Sequence, residues 1–150
     1  MKYLFIILLL PFMFISCENK ESDEASKKAA TYALLKGRWN KISTEYKYYD
    51  YRTNNLIAHD TVAFVPGDYD EYTDTEYSEF LAEKKVYTTT YKFPDGKHIN
   101  FEYNGPSETV KCEIKELTPN KLVFYREYII QQPGSDQDGD KTTILYTCSR

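Results

Sequence analysis

The phrase in this chain that most suggests chemistry is Asp136-Gln137-Asp138-Gly139-Asp140. Alternating aspartates can ring a calcium ion, because carboxylate oxygens are hard donors that suit a hard cation. A calcium loop that opens this way continues with glycine at 141 and closes on glutamate at 147. Those positions hold Lys141 and Thr147, so the run reads as a solvated hairpin loop and no metal site is expected. The cluster Asp68-Tyr69-Asp70-Glu71-Tyr72 is too polar for a core and reads as a mobile acidic rim, or as a loop that docks a partner. The histidines are His59 and His98. His98 falls on the polar face of its strand and is expected in solvent; His59 is expected in a structural hydrogen bond. With so few histidines, general acid–base work would fall to carboxylates, and nothing pairs them at a defined separation. A Gly-x-Ser-x-Gly elbow, a Ser-His-Asp order, Cys-x-x-Cys and His-Glu-x-x-His are all absent. The chain does not read as an enzyme, and no cofactor is expected.

The reactive residue that stands out is Cys17. Lys2 gives the chain a positive start, and Tyr3 to Ile15 is an apolar run of 13 residues. A helix rising about 1.5 Å per residue needs roughly 20 such residues to cross a bilayer core. The run is too short and Pro11 interrupts it, which fits an export signal. Phe14-Ile15-Ser16-Cys17 resembles a bacterial lipobox, with Phe14 where such signals usually carry leucine. The resemblance implies removal of residues 1–16 and a diacylglyceryl group on the Cys17 thiol. Each lipid CH₂ buried contributes about 0.8 kcal/mol, so two or more chains hold stably. The expected location is the bacterial cell envelope, as an outer membrane lipoprotein. The acidic stretch Glu18, Glu21, Asp23, Glu24 resembles the export signal of surface-exposed lipoproteins; it also suits a plain solvated tether. Residues 17–33 are therefore expected to be lipidated cysteine and flexible tether, with the domain over 34–150.

What remains after residue 16 is enough for one domain with its own core. Formal charge is −4 for the whole chain and −5 without Lys2. No basic patch is present to release counterions from phosphates, so nucleic acid is an unfavoured partner. Tyrosine is abundant, 15 in all. Its flat ring packs on a pleated face while its hydroxyl reaches water, which favours strands.

Alternation then sets the elements that position these residues. Ile42, Thr44, Tyr46 and Tyr48 share one strand face, and Trp39 is out of phase with them, which predicts a bulge or a late strand start. Leu56 to Val65 is a strand apolar on both faces. Within 73–85 the spacing of Tyr77, Phe80, Leu81 and Lys84 suits a helix, and Thr73 with Glu76 suits a capping box. Strands follow over 86–93, around Ile99, Phe101 and Tyr103, around Val110, Cys112 and Ile114, over 121–131 and over 142–148. Turn residues such as Pro94-Asp95-Gly96 and Thr118-Pro119-Asn120 separate them. Short strands at roughly ten-residue spacing indicate an antiparallel meander, and closing it into a barrel removes both edges.

LLKGRWNKIS, near the start of the domain, resembles the Gly-x-Trp opening strand of lipocalins and their small bacterial lipocalin-like relatives. CEIKELTPNKLVFYREY resembles the penultimate hairpin of the same domains. The resemblance implies an all-β, up-and-down antiparallel barrel of about eight strands whose cup holds a small apolar ligand. It gives Gly37 and Trp39 a role in closing the barrel floor, with Arg150 either stacked on the indole or frayed in solvent. Tyr46, Tyr48, Phe101, Tyr103, Phe124 and Tyr128 are the candidate lining, unless these rings simply fill a solid barrel. In that second reading the barrel is a spacer, and its acidic tyrosine-rich loops bind a protein or glycan. An oxidising envelope permits a Cys112–Cys148 disulfide. One intervening strand puts them roughly 9.5 Å apart, beyond the ~7 Å a bridge tolerates. Two buried thiols are therefore the expectation.

Overall fold

The computed structural model describes residues 20–50, 52–103, 109–130 and 140–150. The aspartate run from 136, the lipobox and Cys17 therefore lie outside the described residues, apart from Asp140 at the start of the last strand. One helix, α1 (Lys20–Leu35), precedes nine strands: β1 (Gly37–Tyr49), β2 (Leu56–Ala63), β3 (Tyr69–Tyr72), β4 (Glu76–Leu81), β5 (Lys84–Lys92), β6 (His98–Glu102), β7 (Thr109–Leu117), β8 (Lys121–Ile130) and β9 (Asp140–Ser149). Every neighbouring pair is antiparallel, and β9 pairs back onto β1 to close an eight-stranded barrel. The ninth strand, β2, lies along the upper half of β1, while β3 pairs with its lower half. β2 and β3 thus follow one another down the same edge of β1, broken by the turn at Pro66-Gly67.

The bulge expected early in β1 is present. The register against β9 slips between Lys41 and Ser43. It puts Trp39, Lys41, Thr44 and Tyr46 on the inner side and leaves Ile42 47% exposed. Ile42 therefore does not share the inward face of Thr44 and Tyr46, as its spacing suggested.

Trp39 is the floor. It is fully buried, its Nε1 donates to the Leu35 carbonyl at 2.7 Å, and the Arg150 guanidinium stacks 4.2 Å from its ring. Arg150 Nη2 also donates to the carbonyls of Leu34 (2.7 Å) and Lys36, satisfying acceptors that the end of a helix leaves open. Gly37 makes the junction possible. Its φ of +105° is left-handed backbone that closes the helix, and a Cβ there would approach Arg150 Nη2 at 3.6 Å. The stretch expected to be flexible tether is thus helical from Lys20. Its last turn is docked: Leu35 is fully buried and Tyr32 stacks on Phe93 at 5.8 Å.

Two further expectations are corrected. Residues 73–85 form no helix. Thr73 Oγ1 accepts from the Glu76 amide at 3.0 Å, and the Thr73 amide donates to the Glu76 carbonyl, which closes the β3–β4 turn. The same hydroxyl–amide chemistry that caps a helix here shapes a hairpin. The acidic rim is not a loop either. Asp68 closes the turn before β3, and Asp70 and Tyr72 point into the barrel, 2% and 1% exposed. Among the described residues, no helix is long and apolar enough to cross a membrane.

Candidate functional site

Above the floor the barrel holds a cavity of about 200 Å³. Strand alternation aims its walls inward. Tyr46 comes from β1, Tyr77 from β4, Phe101 from β6, Phe124 from β8 and Tyr146 from β9, with Tyr103 just past β6. Phe124 and Tyr146 stack at 4.5 Å between ring centroids, and Tyr77 meets Phe101 edge-on at 4.9 Å. One wall is low, because the β4–β5 hairpin turns at Ala82-Glu83, level with Gly67, while β2 continues above it. Larger hollows lie on the outer surface and are open. One, of about 540 Å³, runs between α1 and the end of β5; another, of about 790 Å³, lies beside Val65 and Pro66.

The cup is not purely apolar. Lys41, Asp70 and Glu79 meet on one side: Lys41 Nζ lies 3.4 Å from Asp70 Oδ1 and pairs with Glu79, and the Tyr77 hydroxyl donates to Asp70 at 2.9 Å. Burial pushes the Asp70 carboxyl up to about 6, against the pull of Lys41 and Tyr77. Burial works to lower the Lys41 ammonium as well, but Asp70 and Glu79 outweigh it and hold it above the ordinary lysine value. Across the barrel, Arg126 reaches in from β8, and its Nε is buried with no hydrogen-bond partner.

The sequence-derived lining divides. Tyr46, Phe101, Tyr103 and Phe124 do line the cavity. Tyr48 and Tyr128 do not: Tyr48 stacks on Tyr46 at 6.5 Å, and Tyr128 is 38% exposed beneath the Arg126 guanidinium. Lys41, Asp70, Glu79 and Arg126 were missed, because strand alternation with charged residues on the inner face reads as a solvent face. The one available signal was the position of Arg126 two residues beyond Phe124 on an inward face.

Cys112 and Cys148 are both free and buried. Their register shows why they do not meet. Cys148 pairs across from Leu122, whereas Cys112 is next to Glu113, which pairs with Tyr125, so they sit at different heights in the barrel. Burial pushes the thiols up to about 11 and about 12, which keeps them protonated and unreactive. His98 is not free in solvent; its Nδ1 lies 2.5 Å from Asp95 Oδ2. His59 Nε2 contacts Glu45 at 2.9 Å. Among the described residues, no group of three His, Cys, Asp or Glu side chains is placed to hold a metal ion.

The arrangement defines an antiparallel eight-stranded barrel with an aromatic, partly charged cup above a tryptophan floor. No protein-family model matches the chain, and no curated protein matches it.

Proposed function

We propose that this chain is a lipid-anchored bacterial envelope protein whose lipocalin-like barrel binds a small apolar molecule in its cup. The observation that carries the binding reading is the ring-lined cavity itself. A solid barrel would have filled those 200 Å³ with side chains. An apolar cavity of about 150 Å³ is enough to hold benzene, so the cup suits a molecule of about one ring and a short substituent. The anchor reading rests on the lipobox-like Phe14-Ile15-Ser16-Cys17. The alternative, a spacer whose acidic loops dock a protein or glycan, has less support, since Asp70 and Tyr72 are turned inside the barrel and are not offered to a partner.

Indole, neutral and of suitable size, tests the cup. The full chain in lipid nanodiscs, with empty discs as blank, should bind indole saturably by calorimetry. Tyr146→Ala, which removes one face of the Phe124–Tyr146 stack, should weaken that binding about tenfold through lost ring contact. Failure of the wild-type chain to bind indole at millimolar concentration would leave the cup without a ligand role.

A further inference from the structure

Two cations line the cup, and they are treated differently. Lys41 is shared by two carboxylates, Asp70 and Glu79. Arg126 has no ion pair and no hydrogen bond among the described residues, only the face of Tyr128 at 5.2 Å. Its Nε is sealed from solvent without an acceptor. A buried unpaired donor is costly, more so on a charged group, and arginine cannot escape that cost by losing its proton. The fold tolerates this at a position facing an empty cavity.

Asp70 and Glu79 line the same cup, but neither pairs with Arg126 among the described residues. Strand order is β1-β3-β4-β5-β6-β7-β8-β9 around the barrel, so β4, which carries Glu79, stands across from β8. Asp70 is one strand further round, held by Lys41 and Tyr77. Beside Arg126 are Tyr103 and Tyr146, whose hydroxyls donate to no described residue, and the thiol of Cys112. The cup thus offers a guanidinium fork and two spare hydroxyl donors at one end of a ring-lined space. A planar two-oxygen anion satisfies such a fork better than any neutral group.

We propose that the ligand is a small monocarboxylic acid of about one ring, its carboxylate held by Arg126 and its apolar part seated between Phe101, Phe124 and Tyr146. This rests on the cup reading above and adds the chemical class of the ligand. Phenylacetate and its neutral isostere phenylacetamide, titrated against the full chain in nanodiscs beside indole, separate the two. The acid should bind about ten- to a hundredfold tighter than the amide, the range of a hydrogen bond to a charged partner. Arg126→Gln should bring the acid down to the affinity of the amide, and Arg126→Lys, which keeps charge but loses the fork, should restore part of the preference. Urea unfolding of each variant reports on its fold, and the wild-type acid-to-amide ratio decides the matter even where a variant does not fold. Equal binding of acid and amide alongside indole overturns the acid class while the cup stands. A preference that persists in Arg126→Gln places the carboxylate elsewhere and also overturns it. If neither the acid nor indole binds, both readings fall.

Discussion

Asp70 is a carboxyl group inside a barrel, and its chemistry is set by what it lost on burial. Removing a carboxylate from water costs more than Lys41 and the Tyr77 hydroxyl return, so its folded value rises from 3.8 to about 6. The sign follows. The folded chain binds this proton more tightly than the unfolded chain, so Asp70 lowers stability as pH rises from about 4 to about 6, with no further change above. Asp70→Asn keeps an oxygen to accept from Tyr77 and removes the titration. Relative to the wild type, that variant should gain roughly 2–3 kcal/mol between pH 4 and pH 7, read from urea unfolding at several pH values. Taking the difference cancels Asp50, Glu45 and Glu102, whose values are lowered and whose pH dependence has the opposite sign. A flat difference would show that Asp70 is solvated. None of this was legible in Asp-Tyr-Asp-Glu-Tyr, which looks like a surface. The phase becomes visible only when Trp39 is seen opposite Asp70, for then Asp70 must point inward beside Lys41. By contrast, the positions of Gly37 and Trp39 were readable, because a large ring two residues beyond a glycine has few places to go in a closed barrel, whereas the place of Arg150 was open between the indole face and solvent.

The β4–β5 hairpin shows where pattern reading fails for an element. Tyr77, Phe80 and Leu81 match helical spacing because Phe80 is an outward-facing ring, stacked on Tyr69 at 4.3 Å, that breaks the alternation. A bulge between Glu79 and Phe80 blurs it further. The turn itself carries no signal, since Ala82 and Glu83 occupy φ values of +48° and +63° that normally call for Asn-Gly. Contacts from outside the hairpin hold them there. The Ala82 amide donates to Asp68 Oδ1 at 2.8 Å, and the Glu83 amide to the Gly67 carbonyl at 2.9 Å. Left-handed backbone costs an ordinary residue about 1–2 kcal/mol. Replacing the pair, Ala82→Asn with Glu83→Gly, should therefore stabilise the chain by about 1–2 kcal/mol in urea unfolding. Loss of stability would show that the Ala82 and Glu83 side chains contribute more than their backbone strain costs. Elsewhere the strands were readable, as in β6 and β7, where Ile99, Phe101 and Cys112 alternate with polar neighbours and tight turns punctuate the run.

For the molecule as a whole, an antiparallel meander of this length closing on itself was legible, because exposed edges are costly and a chain of even strands can remove them. The size of the cup was not. Whether rings meet or leave a gap depends on a few ångströms of strand stagger and on which charged side chains, here Lys41 and Arg126, share the interior with them. Helix α1 was equally hidden, since its sequence is polar and only its last turn, through Leu35, is bought by packing. The anchor belongs to this scale too. Cys17→Ala should leave an unprocessed or soluble chain in cell fractionation; no helix among the described residues is long and apolar enough to cross a bilayer. Normal processing and membrane recovery of that variant would end the lipoprotein reading.

The clamp of Leu34, Lys36, Trp39 and Arg150 joins α1 to the plugged end of the barrel, while β1 climbs from there toward Tyr48. Whatever grips the N-terminal side of this chain therefore grips the base. A lipid on Cys17 would make α1 a stem, with the vessel standing upright on the bilayer and its low lip, beside Ala82 and Glu83, opening to the water rather than to the membrane. Molecules would then arrive from solution, so a solute that is soluble as an anion and apolar at its other end is one the vessel can meet.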